Sequence, residues 1–137
     1  MQEYLEIQSL DGKTFLDIGC GSGLMSLAAR KLGAKVLSFD YDKNSVECTR
    51  FLKELYFKDD IYWTIEEGSV LNKDYLRTIG KFDFVYSWGV LHHTGSMNTA
   101  LNNVLIPLSC DDGVLAIAIY NQNGVETDFW KKVKSFL

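Results

Sequence analysis

Two hydrophobic rhythms alternate along this chain. Short runs dense in apolar and β-branched residues suit strands, and each is followed by a stretch whose apolar positions recur every three or four residues, as in an amphipathic helix. The first run, Thr14 to Ile18, leads through a glycine-rich turn to Leu24, Met25, Leu27, Ala28, Ala29 and Leu32 at helical spacing from Ser22 to Leu32. Gly33 stands where a helix C-terminal cap belongs. Lys35 to Asp40 is the second strand. Asp42 sits at an N-cap position ahead of a helix carrying Val46, Phe51, Leu52, Leu55 and Tyr56, which stops around Lys58 to Asp60. Ile61 to Ile65 is the third strand, Lys73 to Ile79 a short helix stopped by Gly80, and Phe82 to Trp88 the fourth strand. Ala100, Leu101, Val104, Leu105 and Leu108 mark a further helix with Pro107 near its end, and Asp112-Gly113 turns the chain into Val114 to Tyr120, its most strand-like run. The final stretch, Val125 to Leu137, places Phe129, Trp130, Val133, Phe136 and Leu137 on the inner face of a helix. Residues 1–13 form a lead-in, with Tyr4, Leu5, Ile7 and Leu10 along one side.

Five such alternations predict an α/β fold: a doubly wound, mostly parallel five-stranded sheet with helices on both faces and right-handed crossovers. Ligands of such sheets bind outside the carboxyl ends of the strands, where the strand order reverses. Gly19 to Gly23, Asp40, Ser69 and Ser87 to His93 are therefore expected around one cleft, though far apart in sequence.

Composition narrows the class. With 137 residues, 47% of them hydrophobic, the chain suffices for one core, so residues 14–137 are read as a single domain. A net charge of −4 leaves no broad nucleic-acid footprint, and Lys131, Lys132 and Lys134 fit a solvated helix face. Cys20, Cys48 and Cys110 lack metal or disulfide spacing, so no metal is expected and a reduced, cytoplasmic setting is the default. Glu3 and Glu6 break the N-terminal apolar residues, which excludes a signal peptide, and no apolar run is long enough to span a bilayer, so a soluble protein is expected.

The candidate chemistry lies in Asp17-Ile18-Gly19-Cys20-Gly21-Ser22-Gly23 and in Asp40. A glycine turn after a strand lets the backbone approach a ligand, and an acid about twenty residues on holds ribose hydroxyls, so the first reading is a nucleoside-containing cofactor. The spacing is Gly-x-Gly-x-Gly, with Leu24 where the dinucleotide fingerprint has its third glycine. A carboxylate at Asp17 repels phosphate and suits an ammonium group. Cys20 is explained by its small size in the loop, and Trp88, ending a buried strand, is assigned to core packing.

Asp17 to Gly23, Asp40 and Ser87-Trp88-Gly89-Val90-Leu91-His92-His93 resemble signature segments of class I S-adenosylmethionine-dependent methyltransferases, over nearly the whole chain and in the right order. The resemblance implies strand order 3-2-1-4-5. It also implies that Gly19, Cys20, Gly21 and Gly23 border the methionine part of the cofactor, that Asp17 holds its amino group and Asp40 its ribose, that Tyr41, Ser69 and Val70 surround the adenine, and that the Ser87 backbone lies near the methionine amine. His92 or His93 would act as general base where the acceptor must lose a proton, with His92 preferred. Two departures stand out: Ser69 occupies a position where many members carry an aspartate, and the usual antiparallel sixth and seventh strands have no sequence after Leu137. That leaves strand five as an apolar edge and implies a fragment, or a minimal domain completed by a homo-oligomer or a partner. The expected reaction is methyl transfer from S-adenosylmethionine, giving S-adenosylhomocysteine. The segment after strand four lacks an Asn-Pro-Pro-Tyr motif, and Val-Leu-His-His there looks like methyltransferases of small molecules, so a small-molecule acceptor is favoured. The alternatives are a non-catalytic cofactor-binding module and, disfavoured by the glycine spacing, a NAD-dependent oxidoreductase.

Overall fold

In a computed structural model, residues 8–120 are described. The expected amphipathic segment at Val125 to Leu137, and all of the lead-in before Gln8, lie outside them. The elements run β1 (Thr14–Ile18), α1 (Leu24–Lys31), β2 (Lys35–Asp40), α2 (Lys43–Tyr56), β3 (Trp63–Glu67), α3 (Lys73–Thr78), β4 (Phe84–Trp88), a 3₁₀ turn (Leu91–His93), α4 (Met97–Asn103) and β5 (Val114–Ala118). All strand pairings are parallel, in the order β3-β2-β1-β4-β5, as expected for a doubly wound sheet.

Because successive strand residues point to opposite faces, the sheet separates two cores. Leu16, Ile18, Leu37, Phe39 and Val85 pack with Leu76 of α3 and with Ala100 and Val104 at α4. Phe15, Val36, Trp63 and Tyr86 pack on the other face with Leu27 and Ala29 of α1, and Leu10 from the lead-in is buried among them. Asp17 and Ser38, opposed in the β1–β2 register, fall on this second face.

The local signals explain the helix ends. Asp42 caps α2, its carboxylate accepting from the amides of Asn44 and Ser45. After α1, Gly33 at φ 100° donates to the Arg30 carbonyl and Ala34 to that of Ala29, a Schellman closure. Some boundaries move. β3 begins at Trp63 rather than Ile61, because Asp60 Oδ1 accepts the Tyr62 amide at 2.8 Å and spends Ile61 and Tyr62 on a turn. β4 begins at Phe84, since Asp83 Oδ2 accepts from the Thr14 amide at 2.8 Å and its hydroxyl at 2.9 Å. α4 ends at Asn103, well before Leu108.

Asn103 ties α4 to the loop after β3. It is buried, and its Nδ2 donates to the Val70 carbonyl at 2.9 Å. Asn103→Ala leaves that carbonyl without its partner and is expected to destabilise the fold by about 1–3 kcal/mol in denaturant titration. An unchanged midpoint would show that the tie contributes nothing.

Candidate functional site

The loop between β1 and α1 is shaped by its glycines. Gly19, Gly21 and Gly23 adopt φ of 76°, 53° and 82°, the left-handed region that favours glycine. A Cβ at Gly19 would lie 2.4 Å from Val90 Cγ2 and one at Gly23 2.8 Å from Thr49 Cγ2, whereas at Gly21 it would meet nothing within 4 Å. Two of the glycines therefore let neighbouring segments close on the loop, and the middle one leaves bare backbone beside open space. The amides of Gly19 and Cys20 donate to the Phe39 carbonyl at 2.9 and 3.1 Å, anchoring the loop to the end of β2. Thr49 Oγ1, from α2, donates to the Gly21 carbonyl at 3.0 Å.

Two clefts flank this loop and share Gly19. The first, of about 540 Å³, is bordered by Asp40, Tyr41, Gly68 to Leu71, Val90 and His93. The second, of about 490 Å³, has Asp17 at its base, the glycine loop on one side and Leu24, Met25, Tyr86, Trp88 and Ala116 as its apolar wall. Their sizes fall within the range of small-molecule sites. No lysine or arginine lines either cleft among the described residues.

Asp40, at the end of β2, holds the turn that carries it: Oδ2 accepts the Gly21 amide at 3.0 Å and Oδ1 the Asp42 amide at 2.9 Å. Each oxygen can accept a further hydrogen bond, and Asp40 borders the first cleft. Asp17 is only 2% exposed. Its Oδ2 accepts from Ser26 Oγ at 2.5 Å, and no cationic side chain pairs with it among the described residues. Burial pushes its carboxyl up to about 6, the Ser26 bonds oppose that rise, and the negative Asp40 adds to it. Burial likewise pushes the Cys20 thiol up to about 12, which keeps it protonated and unreactive.

The other expected site residues are distributed as follows. Tyr41 is 86% exposed and borders the first cleft with Ser69 and the buried Val70; Ser69 Oγ accepts the Leu71 amide at 3.2 Å. Ser87 is fully buried, donates to the Ile18 carbonyl at 3.0 Å and borders neither cleft. His93 borders the first cleft. His92 lies behind it, its ring 4.0 Å from that of His93 and 5.2 Å from that of Tyr120, with neither nitrogen hydrogen-bonded among the described residues. Trp88, expected as core packing, is instead 50% exposed: it lies on the α1 side of the sheet end, stacked on Tyr86, and borders the second cleft. Thr49, Ser26 and Ser38 were not foreseen at the site. A serine in the middle of the buried strand Lys35 to Asp40 is the sequence signal that points to one of them.

The fold, the glycine loop and the two strand-end acids define a Rossmann-like methyltransferase domain, and the chain belongs to that family: a methyltransferase-domain family model matches residues 2–135. Among curated relatives, a ribosomal protein L11 methyltransferase from Helicobacter hepaticus is 33% identical over 111 residues, covering 76% of this chain. The match spans 34% of that relative's length. Among solved structures, magnesium protoporphyrin IX methyltransferase from Synechocystis, with SAH bound, aligns over 93% of this chain and 55% of its own at TM-score 0.71 and 20% identity. The [4+2]-cyclase SpnF aligns over 85% of this chain and 42% of its own at TM-score 0.70 and 16% identity. Likeness at that level speaks for the fold alone, and the two neighbours are named for different reactions, a methyl transfer and a cyclisation.

The Asp17 environment has a stability consequence. A carboxyl with a folded pKa of about 6 against 3.8 unfolded binds its proton more tightly in the folded state, so its contribution to stability falls as pH rises from about 4 to above 6. Above that range the charge costs the ligand-free fold on the order of 2–3 kcal/mol. Asp17→Asn is expected to raise the melting temperature at pH 8 and to lose that gain near pH 4. A gain independent of pH would contradict the assignment.

Proposed function

We propose that this domain binds S-adenosylmethionine across the two clefts and transfers its methyl group to an acceptor, leaving S-adenosylhomocysteine. The observation that carries the reading is the pair of carboxylates at the ends of adjacent strands, one on each side of a glycine loop, with no lysine or arginine lining either cleft among the described residues. That charge pattern opposes a pyrophosphate ligand such as NAD and suits a ligand with an ammonium group at one end and a ribose diol at the other. Asp17 would hold the ammonium and Asp40 the ribose. Tyr41, Ser69 and Val70 would border the adenine, and Gly19, Cys20, Gly21 and Gly23 would pass beside the methionine chain; Ser87, buried and bordering neither cleft, is given no contact with the ligand.

The bound cofactor supplies a methyl carbon already activated by the sulfonium charge. The chain's part is to hold donor and acceptor in line and to exclude water, and orientation of this kind accounts for much of the rate enhancement. His93, which borders the first cleft, is preferred over His92 as the group that accepts a proton where the acceptor must lose one. The apolar wall of Leu24, Met25, Tyr86, Trp88 and Ala116 supports a small, largely apolar acceptor. A protein acceptor is the second reading, supported by the names of the ribosomal protein L11 methyltransferase relatives.

Thermal shift tests the cofactor. S-adenosylmethionine and S-adenosylhomocysteine at about 100 times their Kd stabilise by about 2.7 kcal/mol, a rise of several degrees, and NAD is expected to leave the melting temperature unchanged. Asp40→Asn, which retains an acceptor for the loop, is expected to weaken adenosylhomocysteine at least tenfold. Stabilisation by NAD alone would refute the reading.

A further inference from the structure

Behind Asp17 runs a chain of buried polar groups that a close-packed interior does not require. Ser26 on α1, Ser38 on β2 and Trp63 at the start of β3 are all buried. Trp63 Nε1 donates to Ser38 Oγ at 2.9 Å, Ser38 Oγ lies 2.6 Å from Ser26 Oγ, and Ser26 Oγ donates to Asp17 Oδ2 at 2.5 Å. The chain has a direction. An indole N–H only donates, so Ser38 must accept from Trp63. An ionised Asp17 only accepts, so Ser26 spends its single proton on the carboxylate and must accept from Ser38, whose own proton completes the link. All three donors then point toward Asp17 and every hydroxyl proton is used. Were Asp17 to donate a proton to Ser26 instead, Ser26 would donate to Ser38, and Ser38, accepting from both sides, would be left with a buried proton lacking a partner in the chain.

We propose that Trp63, Ser38 and Ser26 form a one-way donor relay that orients the Asp17 carboxylate and favours its ionised form, making Ser26 and Ser38 positioning residues for recognition of a ligand's ammonium group at the base of the second cleft. The inference rests on the cofactor reading above and goes beyond it. Three residues from separate segments are linked in series to one oxygen of Asp17, with Ser26 alone touching it, while Asp17 itself borders the cleft. The titratable groups that sense the same charge are Asp40 at the end of β2, Cys20 in the loop and Tyr86 on β4. None of these donates to Asp17, so the relay provides the hydrogen bonding that a cation would otherwise supply.

Two ligands separate positioning from mere packing: S-adenosylhomocysteine, which carries the ammonium, and 5′-methylthioadenosine, which keeps the adenosine and thioether without it. By isothermal titration, Ser38→Ala and Ser26→Ala are each expected to weaken S-adenosylhomocysteine about tenfold and to change 5′-methylthioadenosine less than about twofold. With Asp17→Asn already in place, adding Ser38→Ala should cost S-adenosylhomocysteine nothing further, because the relay acts only through that carboxylate. Either serine variant serves if the other does not fold. Equal losses for both ligands, no loss for either, or additive losses in the double variant would overturn the relay while leaving the cofactor reading intact. A wild-type protein that binds neither ligand would overturn both.

Discussion

A carboxylate buried without a cationic partner among the described residues is the constraint on which the rest of this structure depends. Asp17 lies on the second strand face, beneath α1, where burial penalises its charge. Among the described residues the fold answers with a hydroxyl from α1 and with no lysine or arginine, so the carboxylate's charge remains available to the cleft it borders. Buried acids kept in this way trade stability for readiness, as expected where a site awaits a cationic partner.

The sheet's alternation distributes the work. Leu16 and Ile18 point to the face carrying α3 and α4, and Phe15 and Asp17 to the face carrying α1 and α2, so the end of β1 divides space into two clefts rather than one. The glycine loop passes over that divide, fastened below by the Phe39 carbonyl, at one side by Asp40 and from α2 by Thr49. The fastenings come from two other elements, β2 and α2, so the loop's left-handed backbone is held by the surrounding fold as well as permitted by its own glycines.

Much of this could be read before the structure. The order of strands and helices followed from the change of hydrophobic period, and Asp42, Gly33 and the glycine turn acted locally as their residue types require. Features settled by neighbours distant in sequence were less legible. Trp88 looks like core in a buried run, yet its exposure depends on what covers the α1 side of β4. His92 and His93 are adjacent, and only the 3₁₀ turn decides which of them reaches the cleft. The Ser26, Ser38 and Trp63 chain needs the strand register and the seating of α1 at once, and a lone serine within an apolar strand was its one visible trace.

The most direct test of the central claim, that one ligand spans both clefts between the two strand-end acids, is a crystal structure of the chain with S-adenosylhomocysteine. The account predicts the ammonium against Asp17, the ribose against Asp40 and the adenine beside Tyr41, Ser69 and Val70. An adenine seated against Trp88, or a ligand that leaves Asp17 without a cationic neighbour, would contradict it.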